Sequence, residues 1–209
     1  MTDIGKIMGF LKEAGRLKET YRFSEAEALK EKESSAAHSW RLSLMAILVA
    51  KELRLEIDME KALKIAIVHD VGEAIAGDVD YRLIHEGKIT KEEKHAAELA
   101  AIHKLEHMLP ESLGAEIYTL WKEYEEHATR EARFIKALDK LETLSYVIEN
   151  GYQCMDVPEM IATYADKPVS EFPELIPVLR EIKARLKAEF EKGGYDWKDS
   201  YESISPSTV

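Results

Sequence analysis

The sequence predicts an all-α fold. Apolar residues recur three and four positions apart in one segment after another. Ala, Leu, Glu and Lys dominate, with ten Gly and six Pro among 209 residues, a composition that favours helix. Most segments are bounded by residues that start or stop helices.

The first segment, about Ile4 to Glu19, places Ile7, Met8, Leu11, Ala14 and Leu17 on one face. A charged stretch, Tyr21 to Glu33, follows as a loop. Ser34 and Ser35 are both suited to cap a helix running to Leu53, apolar nearly all round and so expected to be central, with His38 in its first turn. Asp58 caps Met59 to Val68, which leads directly into His69-Asp70, and Gly72 then lets the backbone turn. Residues 72–89 carry three glycines without clean periodicity and read as short turns and loop. Thr90 and Glu93 form a capping box for a helix to about Met108, stopped near Pro110. Helices are expected over Glu111–Glu126 and over Arg130–Asn150, the latter ended by Gly151, and a short one near Pro158–Tyr164. A last helix spans about Glu171–Lys192 and stops at Gly193-Gly194. Residues 1–198 then form one domain, with motifs in 22–140 and a poorly ordered tail over 199–209.

A formal charge of −11, from 29 basic and 40 acidic residues, argues against a nucleic-acid polymer as partner, because phosphate backbones call for a basic surface. The one cysteine, Cys154, excludes an intramolecular disulfide and a multi-cysteine zinc site and is expected to pack. No apolar run reaches membrane-spanning length, and the charged N-terminus does not read as a secretory signal. A cytoplasmic protein is the expectation.

The chemistry lies in His38, His69, Asp70 and Asp139, ionisable residues within apolar helical segments. Each has ordinary uses alone: a His bonded to a carbonyl, an Asp capping a helix, Asp139 paired with Lys140 or Arg133. Burying all four together without pairing costs several kcal/mol each, so the set points to one divalent ion. Imidazole and carboxylate ligands suit Mn, Fe, Co, Ni or Zn and admit Mg. Four protein ligands leave octahedral positions for water and substrate, which makes the ion catalytic. His103 and His107, four apart, are read as a helix surface rather than a second metal site.

The H…HD…D pattern of His38, His69, Asp70 and Asp139 resembles that of the HD-domain phosphohydrolases. The blocks LKEAGRLKETYRF, ESSAAHSWRLSLMA, KIAIVHDVGEAIAGD and EARFIKALDKLE are similar to those of the small HD proteins that include the 5′-deoxynucleotidases and the HD-domain-containing protein 2 group. The resemblance covers about residues 10–150. It implies an HD-type helical bundle that hydrolyses deoxynucleoside 5′-monophosphates to deoxynucleoside and phosphate. It also implies roles by position. Glu73 would handle the proton of the attacking water, and Asp70 would act in catalysis as well as ligation. Asp78 would bind the sugar, Arg22 the phosphate, and Phe23 would pack on the nucleoside.

The sequence departs from that pattern after Asp78, where Tyr81, Arg82 and His85 stand, and around Arg22. Two other readings stay open: an HD hydrolase of a triphosphate, alarmone or cyclic nucleotide, and a non-catalytic metal- or nucleotide-binding module. No lysine cluster is evident beside the motif, which counts against the more highly charged substrates. Glu73 beside intact ligands counts against the module. Tyr146, Tyr152, Phe172 and Trp197 are expected to cover the core or to form a homodimer contact.

Overall fold

In the computed structural model, which describes residues 2–24, 26 and 32–202, helices form where caps and apolar periodicity coincide. Thr2 starts α1 (Asp3–Ala14), which tightens into a 3-10 turn over Gly15–Lys18. Ser34, rather than Ser35, caps α2 (Ser35–Glu52), its hydroxyl accepting from the Ala37 amide. Asp58 caps α3 (Met59–Val68), and His69-Asp70 follows at the helix end. The glycine-rich stretch forms two short helices, α4 (Glu73–Ala76) and α5 (Tyr81–His85). The Thr90–Glu93 capping box opens α6 (Lys91–Glu106), as its reciprocal hydrogen bonds show.

Pro110 precedes α7 (Glu111–Glu125), and Thr129 caps α8 (Arg130–Asn150), which Gly151 ends at a positive φ of 80°. Two short helices follow, α9 (Pro158–Thr163) and α10 (Asp166–Ser170), before α11 (Ile176–Gly193). The sequence places one helix over Glu171–Lys192, but the chain breaks at its start. Phe172 is non-helical, at φ −140° and ψ 74°, and a 3-10 turn covers Pro173–Leu175. Proline disfavours a helical conformation in the residue before it, and burial of Phe172 in the core fixes the bend. Of the stretch expected as loop, residues 25 and 27–31 lie outside the described residues; Tyr21 and Ser34 form an isolated antiparallel bridge across it. Of the expected tail, residues 199–202 form a 3-10 turn with Tyr201 buried against Phe190, and 203–209 lie outside the described residues.

α8 is the central element, packing against α2, α3, α7 and α11. Phe134, Ile135, Leu138, Leu141 and Leu144 along it are buried, and they meet Leu42 of α2 and Ile65 of α3 in one apolar core. Tyr146 and Phe172 lie within that core, Tyr152 and Trp197 pack on its edge, and Cys154 is buried as expected. These aromatics therefore cover the core. No helix among the described residues is long and apolar enough to cross a membrane.

α6 and α7 approach so closely that a Cβ on Gly114 would lie 2.4 Å from the Glu106 carbonyl oxygen. Gly9 in α1 has no neighbour within 4 Å of such a position. Gly114→Ala is expected to cost about 1–3 kcal/mol through the clash with backbone, while Gly9→Ala raises stability by about 0.5–1 kcal/mol; thermal unfolding of the two variants checks the contrast.

Candidate metal centre and active site

Three helices bring the candidate ligands together. α2 carries His38, the end of α3 presents His69 and Asp70, and α8 supplies Asp139. His38, His69 and Asp139 are buried, and each offers a ligand atom within 4.8 Å of the others. His38 Nε2 lies 3.1 Å from Asp139 Oδ1 and 3.8 Å from Asp70 Oδ2. His69 Nε2 lies 3.0 Å from Asp70 Oδ2.

The opposite ring nitrogens fix the imidazoles. His38 Nδ1 donates to the buried Glu142 carboxylate, and His69 Nδ1 donates to the Ala66 carbonyl at 2.9 Å. Both Nε2 atoms are buried without a hydrogen-bond partner among the described residues. Two oriented nitrogens and two carboxylates facing one point fit a divalent cation, and the hydrogen bonds to Nδ1 are the support such ligands need.

The local charge agrees with that fit. Burial and the Arg22 charge lower the pKa of His38, yet contacts with Asp139 and Glu142 outweigh both and raise it to about 9. Burial alone would also raise the Asp70 and Asp139 carboxyls. His69 holds Asp70 well below the usual range, and Lys140 with His38 does the same for Asp139. The centre therefore attracts positive charge, which a proton or a cation supplies.

Glu73, at the start of α4, is buried and accepts a 2.7 Å hydrogen bond from the Ser35 hydroxyl. Burial raises its pKa well above the ordinary value, and the Asp70 and Asp78 charges add to the shift. Asp78 and Phe23 line the same cavity. Phe23 has a φ of 55°, a left-handed conformation that costs an aromatic residue roughly 1–2 kcal/mol. Its ring stacks on Tyr146, with centroids 5.2 Å apart, and meets the edge of Tyr81 at 6.1 Å. Arg22 donates to Thr143 Oγ1 at 2.9 Å and to Glu33 at 3.2 Å. The cavity thus gathers all eight sequence-predicted residues except His38, which lies behind its wall.

Several residues escape the sequence reading. Glu142 orients His38, and the Tyr124 hydroxyl donates to Asp139 Oδ2 at 2.6 Å. Thr143 accepts from Arg22 and donates to the Asp139 carbonyl at 2.9 Å. The expected absence of lysines is also corrected, because Lys94 of α6 and Lys136 and Lys140 of α8 all line the cavity. Packing of α6 and α8 on either side of α7 assembles this cluster, so no local run of the sequence displays it. His103 and His107 are exposed, bonded to Glu106 and to the His103 carbonyl respectively, apart from the centre.

An HD domain family model matches residues 14–164, and the chain belongs to that family. The chain is similar to the 5′-deoxynucleotidase HDDC2 of Homo sapiens, with 32% identity over 182 residues that cover 85% of each chain. It is 36% identical over 188 residues to the Dictyostelium discoideum protein of that name, covering 86% of this chain and 96% of that one. Among solved structures it resembles a predicted metal-dependent phosphohydrolase from Magnetospirillum magnetotacticum MS-1. That match has a TM-score of 0.74 and 25% identity, and covers 93% of this chain and 96% of that one.

Support of the His38 ring by Glu142 has a measurable consequence. Glu142→Gln is expected to weaken divalent-cation affinity about 10–100-fold with the helical fold intact, as read by calorimetric titration of Mn or Co alongside circular dichroism.

Proposed function

We propose that this chain is a divalent-metal-dependent 5′-deoxynucleotidase that hydrolyses deoxynucleoside 5′-monophosphates to deoxynucleoside and phosphate. The observation that carries the reading is the convergence of two buried imidazole nitrogens and two carboxylates beside Glu73, a carboxyl that burial pushes well above its ordinary pKa. A divalent ion held by His38, His69, Asp70 and Asp139 acidifies water and offsets phosphoryl charge.

The side chains around it divide the remaining work. Glu73 takes a proton from the attacking water and returns one to the departing 5′ oxygen, a role suited to a carboxyl whose pKa burial has raised. Arg22, which burial disfavours but Asp139 and Asp70 hold firmly charged, binds phosphoryl oxygens. Asp78 accepts a hydrogen bond from the sugar, and Phe23 with Tyr81 forms an aromatic wall for the base.

The lysines do not favour a triphosphate. Lys94 is paired with Glu98 and Lys140 with Asp139, so these two have little charge free for additional phosphates. A homodimer in the cytoplasm belongs to the same proposal. Trp40, Leu44, Ile47 and Leu48 form an exposed uncharged stripe on α2, where a second copy of a chain of charge −11 meets least repulsion.

The test is phosphate release from deoxy- and ribonucleoside mono-, di- and triphosphates with Co, Mn, Mg, Zn or chelator. Metal-dependent release from the deoxy monophosphates is expected, with Asp70→Ala inactive and Glu73→Gln slowed about 10²–10⁴-fold in kcat. Activity on other phosphates alone would reject the substrate, and metal-independent release would reject the centre.

A further inference from the structure

Four cationic side chains reach the cavity: Arg22, Lys94, Lys136 and Lys140. Three are answered by protein groups. Arg22 donates to Thr143 and Glu33, Lys94 pairs with Glu98 on its own helix, and Lys140 Nζ lies 2.8 Å from Asp139 Oδ2. Lys136 is different. Its closest carboxylate oxygen, Glu125 Oε1, is 3.7 Å away, beyond hydrogen-bond reach. Its Nζ sits 4.0 Å from the centroid of the Tyr124 ring, and no hydrogen bond reaches it among the described residues.

An ammonium has three donors and no acceptor capacity. The Lys136 side chain is only 19% exposed, its exposed part lines the cavity, and the aromatic face answers the charge without accepting hydrogen bonds in the ordinary way. The wall of the cavity therefore presents unused donor capacity directed at an anion.

Position on α8 says which anion. Lys136 stands one helical turn before Asp139, and Thr143, which holds Arg22, stands one turn after it. Residues three and four apart share a helix face. A phosphoryl group brought to Asp139 thus lies between Arg22, at one end of this face, and Lys136 at the other.

We propose that Lys136 is a phosphate-binding residue whose ammonium donates to a non-bridging oxygen of the substrate phosphoryl group and of the inorganic phosphate product. The inference rests on the phosphohydrolase reading and adds a second cationic contact to Arg22. A purely structural Lys136, whose ammonium only caps the Tyr124 ring, would affect stability and leave phosphate affinity unchanged.

Inorganic phosphate titrated calorimetrically into the Co-loaded chain separates the two. Lys136→Met is expected to weaken phosphate about tenfold and to raise KM for a deoxynucleoside monophosphate similarly, with Co affinity unchanged. Lys136→Arg, which keeps the charge, should stay within about threefold of wild type. If Lys136→Met does not fold, Lys136→Gln takes its place. Unchanged phosphate affinity in the folded neutral variant, equal losses in the neutral and Arg variants, or no phosphate binding by wild type would each overturn the proposal. Failure of the nucleotidase reading shows separately, as a wild type that binds phosphate yet releases none from any nucleotide; the titration still decides Lys136.

Discussion

The enclosed imidazole of His38 is the point on which the molecule depends. Its Nδ1 is bonded to Glu142 of α8, and its Nε2 faces Asp139 one turn earlier on the same helix. One ring thereby joins the two most central helices and aims a ligand nitrogen at the meeting point of three. Glu142 is held in turn by Arg41 of α2 and lies 3.5 Å from Arg22. A buried carboxylate so placed is compensated on each side, the condition under which burial of charge is tolerable. Ala46 and Ala50 of α2 are also buried, so small side chains carry the helix past the core beyond His38.

From this joint outward, charges alternate in sign. Arg41 answers Glu142, His38 and His69 answer Asp70 and Asp139, Lys140 answers Asp139, and Arg22 lies among four of the carboxylates. The result is an acidic centre with Arg22, Lys94, Lys136 and Lys140 in the surrounding wall, able to hold a cation inside and to receive an anion from the cavity. Low local dielectric strengthens each of these interactions and makes any unpaired member expensive. The two Nε2 atoms, aimed at Asp70 and Asp139 with no other partner among the described residues, are where such a cost is met by a bound cation.

The sequence made most of this fold legible because its signals are local. Thr90 with Glu93, Asp58 before α3 and Gly151 after α8 each settle a helix boundary through a backbone need that one side chain or one glycine meets. Phe172 was harder to read: its burial depends on the whole core, so the break before Pro173 was hidden inside an otherwise helical stretch. In the site, His38, His69 and Asp139 stood out as polar residues within apolar runs. Glu142 sits between Leu141 and Leu144 and carried the same signal, one turn beyond Asp139. No local signal marks Tyr124, Lys94 or Lys136 as site residues. Their convergence arises from the packing of α6, α7 and α8, which no local pattern encodes.

The anchoring of Arg22 has an entropic consequence. A free arginine side chain carries about 2 kcal/mol of rotamer entropy, which a ligand must ordinarily overcome to hold it in one pose. Here Thr143 and Glu33 fix the guanidinium when the chain folds, so a bound phosphate meets an arm already immobilised. The disorder of that side chain is lost once, at folding, and more of the binding energy remains for discriminating among ligands.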